Sequence, residues 1–135
     1  MVIEGEMAER MLAAATAARK HAYCPYSSYP VGAAVLDTEG RVHVGCNVEN
    51  ASSGLTVCAE RNAVAAMVAA GGRKVAELAV VTSNGALPCG ACLQVISEHA
   101  AAPDIPLRVY SDGPNPTARV FALNSLLPEP FRKQR

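Results

Sequence analysis

The 135-residue chain has no surplus of charge of either sign: twelve basic and twelve acidic side chains cancel to a formal net charge of zero. A protein that grips polynucleotide phosphates needs a cation for each phosphate it neutralises, so the balance argues against a nucleic-acid partner. Charged residues are also few, at 18% against the ~25% usual in soluble domains. With 50% hydrophobic residues, the chain lacks the high net charge and low hydrophobicity of disorder. No apolar stretch approaches the ~18 residues of a membrane span. The opening Met1-Val2-Ile3-Glu4-Gly5-Glu6 has no basic segment of the kind that starts a signal peptide. These absences leave a cytoplasmic enzyme or binding domain with no membrane partner as the expectation. The length suits one domain over residues 1–135. Neither an internal repeat nor a low-complexity linker divides it.

Five cysteines, an odd number, stand at Cys24, Cys46, Cys58, Cys89 and Cys92, so they cannot all pair within one chain. In a cytosolic setting, clustered cysteines more often mean metal or catalysis than disulfides. Low charge and many alanines further suggest that surface is buried against other copies of the chain.

Helix formers fill Glu6–His21, with Arg19, Lys20 and His21 placed where cations suit the helix dipole. Pro25 and Pro30 disfavour helix before them. Val31–Asp37 and Arg41–Val48 read as two strands joined through Thr38-Glu39-Gly40, a hairpin. After a loop over Glu49–Val57 comes Cys58–Ala70, a helix apolar on nearly every face and therefore expected to be buried all round. Glu77–Thr82 suits a buried strand and Cys89–Ala101 a third helix ended by Pro103. Leu107–Tyr110 and Thr117–Phe121 are weaker strand candidates, and Leu123–Leu127 a short helix. Helices alternating with strands place the chain in the α/β class, with helices covering a mixed sheet.

Chemistry concentrates in Cys58-Ala59-Glu60 and in Pro88-Cys89-Gly90-Ala91-Cys92 about thirty positions later. A lone C-x-x-C is compatible with a redox pair or half of a structural zinc site. Structural zinc sites almost always use four ligands; three leave a coordination position open, which is the catalytic pattern. Cys24, Cys46, His21, His43 and His99 have no ligand-like placement, and the two outlying cysteines read as small packed hydrophobes. Cys58 and Cys89 each open a predicted helix, where thiol pKa values fall. Glu60 is two residues from a candidate ligand, close enough to serve the site without coordinating. Arg61, three after Cys58 on the same helical face, reads as a residue behind the ligands that offsets thiolate charge. Ordinary roles compete with these: a plain ion-pair partner for Arg61, and solvated strand-end polarity for Asn47 and Glu49. The end, Phe131-Arg132-Lys133-Gln134-Arg135, reads as a solvated terminus.

The ligand-x-Glu and Pro-Cys-x-x-Cys pairing matches the signature of zinc nucleobase deaminases. Together with Pro25-Tyr26-Ser27-Ser28-Tyr29-Pro30-Val31-Gly32-Ala33-Ala34, Gly45-Cys46-Asn47-Val48-Glu49-Asn50-Ala51, the Arg61 that follows Glu60, and Leu126-Leu127-Pro128, it resembles the small homotetrameric cytidine deaminases over nearly the whole chain. The resemblance implies a three-layer α/β/α sandwich with a mixed central sheet. It implies one zinc per chain on Cys58, Cys89 and Cys92, with Glu60 shuttling protons in the hydrolytic deamination of cytidine and deoxycytidine. It further implies that Asn47 and Glu49 bind the sugar hydroxyls, that the Ala59 amide contacts the base carbonyl, and that Tyr29 lies near the base. Phe131 falls where a neighbouring subunit contributes an aromatic ring, in a homotetramer whose active sites are completed across subunits. Ser53, Leu93 and Tyr29 stand where the family usually has tyrosine, arginine and phenylalanine. Other readings are the same chemistry on another aminopyrimidine nucleoside such as a nucleoside antibiotic, a polynucleotide-editing deaminase, and a non-catalytic zinc-stabilised interaction module.

Overall fold

A computed structural model describes residues 3–134. The elements run α1 (Glu6–Arg19), β1 (Gly32–Asp37), β2 (Val42–Cys46), α2 (Ala59–Ala69), β3 (Val75–Thr82), α3 (Gly90–His99), β4 (Pro106–Ser111), β5 (Thr117–Ala122) and α4 (Leu123–Leu126), with a single 3₁₀ turn at Ser53–Leu55 before α2. The five strands form one sheet in the order β2-β1-β3-β4-β5. Only β3 and β4 are parallel; the other neighbours are antiparallel. The sheet is therefore mixed, as expected. β4 and β5 pair as a hairpin from Ser111↔Thr117 to Pro106↔Ala122, and no residue of β5 is fully buried at the sheet edge, which explains its weak hydrophobic signal.

Strand alternation divides the core into two layers. Ala33 and Val35 of β1 and Leu78 and Val80 of β3 face one side, with Ala63, Met67 and Ile96 from α2 and α3. Ala34, Ala79 and Val81 face the other, against Met11 and Ala15 of α1. The result is the α/β/α sandwich, built by the period-2 side-chain alternation of the strands. Two glycines set how close the helices come. A Cβ at Gly32 would lie 2.0 Å from the Ala15 carbonyl oxygen, and one at Gly45 would lie 2.4 Å from the Ala63 nitrogen. Without side chains there, α1 and α2 pack directly against strand backbone.

The expected helices and strands all form, with ends moved by a few residues. α1 stops at Arg19, where the Lys20 and His21 amides bond to carbonyls three residues back and tighten the last turn. β2 ends at Cys46 rather than Val48; Val48 instead bridges Tyr23 and Val57. The expectation that the second helix is buried all round does not hold within one chain. Ala59, Glu60, Ala63, Val64 and Met67 are buried, but Ala65 and Ala69 are exposed. Leu93 is buried in the larger core cluster, so an apolar residue there is satisfied by packing. Ser53 is exposed, and Cys24 and Cys46 are half-buried. Phe131 to Gln134 are exposed, as expected of a terminus; Arg135, Met1 and Val2 lie outside the described residues.

Candidate active site

Cys58 and Cys89 are the N-cap residues of α2 and α3, both in extended backbone. Cys92 lies in the first turn of α3 and is fully buried. The three Sγ atoms lie within 4.8 Å of one another, and Cys89 and Cys92 are 3.4 Å apart. All three are free thiols. Among the described residues this is the only grouping of three or more His, Cys, Asp or Glu with metal-ligand proximity. Three sulfur donors converging from two helix N-termini suit zinc, which takes thiolate ligands in tetrahedral sites.

The surroundings favour thiolate at Cys58. Its pKa falls to about 5, first through the hydrogen bond from Cys92 and then through Arg61, against the cost of burial. The same pairing, with burial and the charge of Glu60, drives Cys92 upward. Three thiols this close cannot all ionise without a cation, which is the charge logic of a metal site. Arg61 donates from Nη2 to Cys58 Sγ at 3.5 Å and to the Thr56 carbonyl at 3.3 Å.

Glu60, one residue into α2, is only 5% exposed. Burial, reinforced by the Cys58 charge, raises its pKa to about 7, although its own backbone amide and Arg61 pull the other way. A carboxyl poised near neutrality can both take and release a proton. Ala59, fully buried, opens α2, so its N–H has no acceptor within the helix.

A cavity of about 390 Å³ opens over this cluster. Its wall combines Cys58, Cys89, Ala59 and Glu60 with Tyr29, Asn47 and Glu49. Although β2 ends early, the bridges of Val48 hold the chain so that the residues on either side of it face the same cavity. Neither polar side chain is idle there. Asn47, buried, donates from Nδ2 to the Tyr29 carbonyl at 2.9 Å and accepts from the Val31 amide at 2.9 Å. Glu49 accepts from the Tyr26 and Ser27 amides and from the Ser27 hydroxyl. That hydroxyl, then the amides, hold its carboxyl below the usual range despite some desolvation. Both residues thus fasten the Tyr26–Val31 loop that roofs the cavity.

Phe131 does not line this cavity. The residue is 74% exposed, while its backbone is fixed to α3: Gln94 Nε2 donates to the Phe131 carbonyl at 2.9 Å, and the Phe131 amide donates to Gln94 Oε1 at 3.0 Å. Sequence reasoning missed Gln94, and also Ser27, Thr82, Ala86 and Leu87, which line the cavity. Thr82 ends a strand that runs parallel to its neighbour β4, and the carboxyl ends of such strands are where α/β sheets bind ligands. That was the available signal.

Residues 6–106 match the family model described as the cytidine and deoxycytidylate deaminase zinc-binding region. Among curated proteins, the chain is 44% identical over 119 residues to a cytidine deaminase of Mycobacterium tuberculosis, covering 87% of this chain and 84% of that protein. A cytidine deaminase of Halalkalibacterium halodurans is 41% identical over 125 residues, covering 91% and 92%. Among solved structures, the cytidine deaminase of Burkholderia pseudomallei superposes with a TM-score of 0.84 at 42% identity, covering 91% of this chain and 98% of that one. The fold, the three-cysteine centre and this likeness agree, and the chain belongs to the zinc-binding cytidine and deoxycytidylate deaminase family.

Proposed function

We propose that the protein catalyses the zinc-dependent hydrolytic deamination of cytidine and deoxycytidine to uridine and deoxyuridine, releasing ammonia. The observation that carries this reading is the placement of Glu60, buried and near-neutral in pKa, against three convergent cysteines in the wall of one nucleoside-sized cavity. A structural zinc module has no use for that carboxyl.

Cys58, Cys89 and Cys92 hold the metal, one per chain, and zinc bound there supplies Lewis-acid activation of water. Glu60 takes the proton from the attacking water and delivers it to N3 of the pyrimidine. It later helps protonate the amine that leaves C4, so one carboxyl serves twice. The Ala59 amide, free at the helix start, orients the base carbonyl. Asn47 keeps one amide hydrogen and Glu49 further lone pairs beyond the bonds they already make, and these meet the sugar hydroxyls. Arg61 steadies Cys58, and Tyr29 lies beside the base.

The whole of residues 1–135 acts as one domain, supported by a single sheet whose two faces carry both core clusters. The assembly is a homotetramer. The open face of α2 at Ala65 and Ala69, and the anchored, outward Phe131 ring, are the surfaces that fit a second copy, with Phe131 reaching a neighbour's cavity. Three free thiols meant for metal suit the reducing cytoplasm. Among the described residues no helix is long and apolar enough to cross a membrane.

The test compares cytosine, cytidine, deoxycytidine, cytidine monophosphate and a single-stranded oligonucleotide. Cytidine and deoxycytidine are expected to be the good substrates. Cytosine leaves Asn47 and Glu49 without their sugar partner, and a phosphate meets Glu49 in a cavity whose described lining contains no lysine or arginine. Comparable efficiency on cytosine or robust turnover of the oligonucleotide overturns the assignment.

A further inference from the structure

We propose that Tyr29 is a strut between two walls of the cavity, and that the bond from its hydroxyl to Asn84 holds the turn carrying Ala86 and Leu87 in its binding position. The inference rests on the reading of this cavity as the nucleoside site.

Tyr29 is tied at both ends. On the loop side, its amide donates to the Ser27 hydroxyl at 3.1 Å and its carbonyl accepts from Asn47 Nδ2 at 2.9 Å. At the far end, its hydroxyl donates to Asn84 Oδ1 at 2.5 Å. Asn84 belongs to the turn between β3 and Cys89. The same Oδ1 accepts from the Ala86 amide at 3.2 Å, and Thr82 Oγ1 accepts from the Gly85 amide at 2.7 Å. Ala86 and Leu87, next in that turn, line the same cavity as the loop held by Asn47 and Glu49. The Tyr29 hydroxyl is therefore the direct side-chain link between the loop that roofs the cavity and the turn that walls it. Phenylalanine, the residue expected here from the resemblance, would keep the ring and lose the link.

Asn84 itself does not line the cavity; it acts through Tyr29 as a positioning residue. Losing the bond lets the turn relax before substrate arrives, so ordering it again falls on binding. The effect belongs chiefly in KM.

The experiment uses the zinc-loaded protein and four variants: Tyr29→Phe, Asn84→Ala, their combination, and Asn84→Asp, which keeps an acceptor oxygen. Losing one net hydrogen bond should raise KM for cytidine roughly 2–10-fold, with a smaller change in kcat. The double variant should be no worse than Asn84→Ala, which already removes both the Tyr29 bond and the one from the Ala86 amide; Asn84→Asp should stay near the parent, and zinc content should be equal in all. Independent losses that multiply in the double variant overturn the strut, as does an Asn84→Asp variant no better than Asn84→Ala. Hydrogen exchange of the Gly85, Ala86 and Leu87 amides without substrate gives a second readout: Tyr29→Phe should speed it roughly 2–10-fold. Unchanged exchange overturns the proposal even if the substrate is not cytidine. A parent inactive on cytidine whose exchange still responds to Tyr29→Phe overturns the functional reading alone.

Discussion

Arg61 reaches Cys58 from one turn along α2, with Nη2 at 3.5 Å from Sγ and Nε buried without a hydrogen-bond partner. A buried guanidinium that leaves a donor unmet is costly unless its charge is needed nearby. The need is at the three sulfurs, whose combined negative charge exceeds what one divalent ion neutralises. Replacing Arg61 with glutamine should lower zinc affinity by about 10–100-fold, the usual effect of losing a partner behind a ligand. Competition with a chromophoric chelator measures this; unaltered affinity would reduce Arg61 to a packing residue.

Under the proposed function Asn47 both holds the loop and meets the sugar, so its removal should show in two measurements. Asn47→Ala strips the Val31 amide and the Tyr29 carbonyl of their partners. Stability should fall by about 1–3 kcal/mol, and KM for cytidine should rise more than KM for cytosine. Equal effects on the two substrates would confine Asn47 to holding the loop.

Asp37, 2% exposed at the end of β1, accepts from His43, from Arg41 and from the Glu39 amide. Burial pushes its pKa up, but those bonds outweigh it and hold the carboxyl at about 2 against an ordinary 3.8. A depressed folded-state pKa means stability that is present above about pH 4 and lost as pH falls toward 2. Asp37→Asn should therefore cost roughly 1–3 kcal/mol at pH 7, and the gap from the parent in urea midpoint should close near pH 2. A gap that persists at pH 2 would contradict the charge-based account.

Phe131 predicts complementation between chains. Glu60→Ala and Phe131→Ala variants, each impaired alone, should recover activity when co-assembled, because some cavities then receive an intact Glu60 and a neighbour's Phe131. Activity no greater than the sum of the separate variants, or an active monomer by light scattering, would remove the cross-subunit reading.

The legibility of this protein follows the range of its interactions. Cys58, Glu60, Cys89 and Cys92 are visible from spacing because Cys58 with Glu60, and Cys89 with Cys92, each fall at the start of one helix. Asn47 and Glu49 are visible as neighbours on one side of a strand end. Their bonds to Val31, Tyr29, Tyr26 and Ser27, sixteen to twenty-three positions away, are not, since no periodicity encodes a contact between two loops. Gln94 and Phe131, 37 residues apart, and Tyr29 and Asn84, 55 apart, are invisible for the same reason. The apolar character of α2 announces burial without saying what buries it. Ala65 and Ala69 stay exposed in the single chain.

In the proposed function Glu60 moves protons beside a metal it does not hold. Zinc content and cytidine turnover, measured on the same preparations of the parent and of Glu60→Ala, test it most directly. About one zinc per chain is expected in both, with turnover in the variant reduced by at least the ~10²–10⁴-fold typical of lost acid–base catalysis. Near-normal turnover in a zinc-loaded Glu60→Ala protein would contradict it.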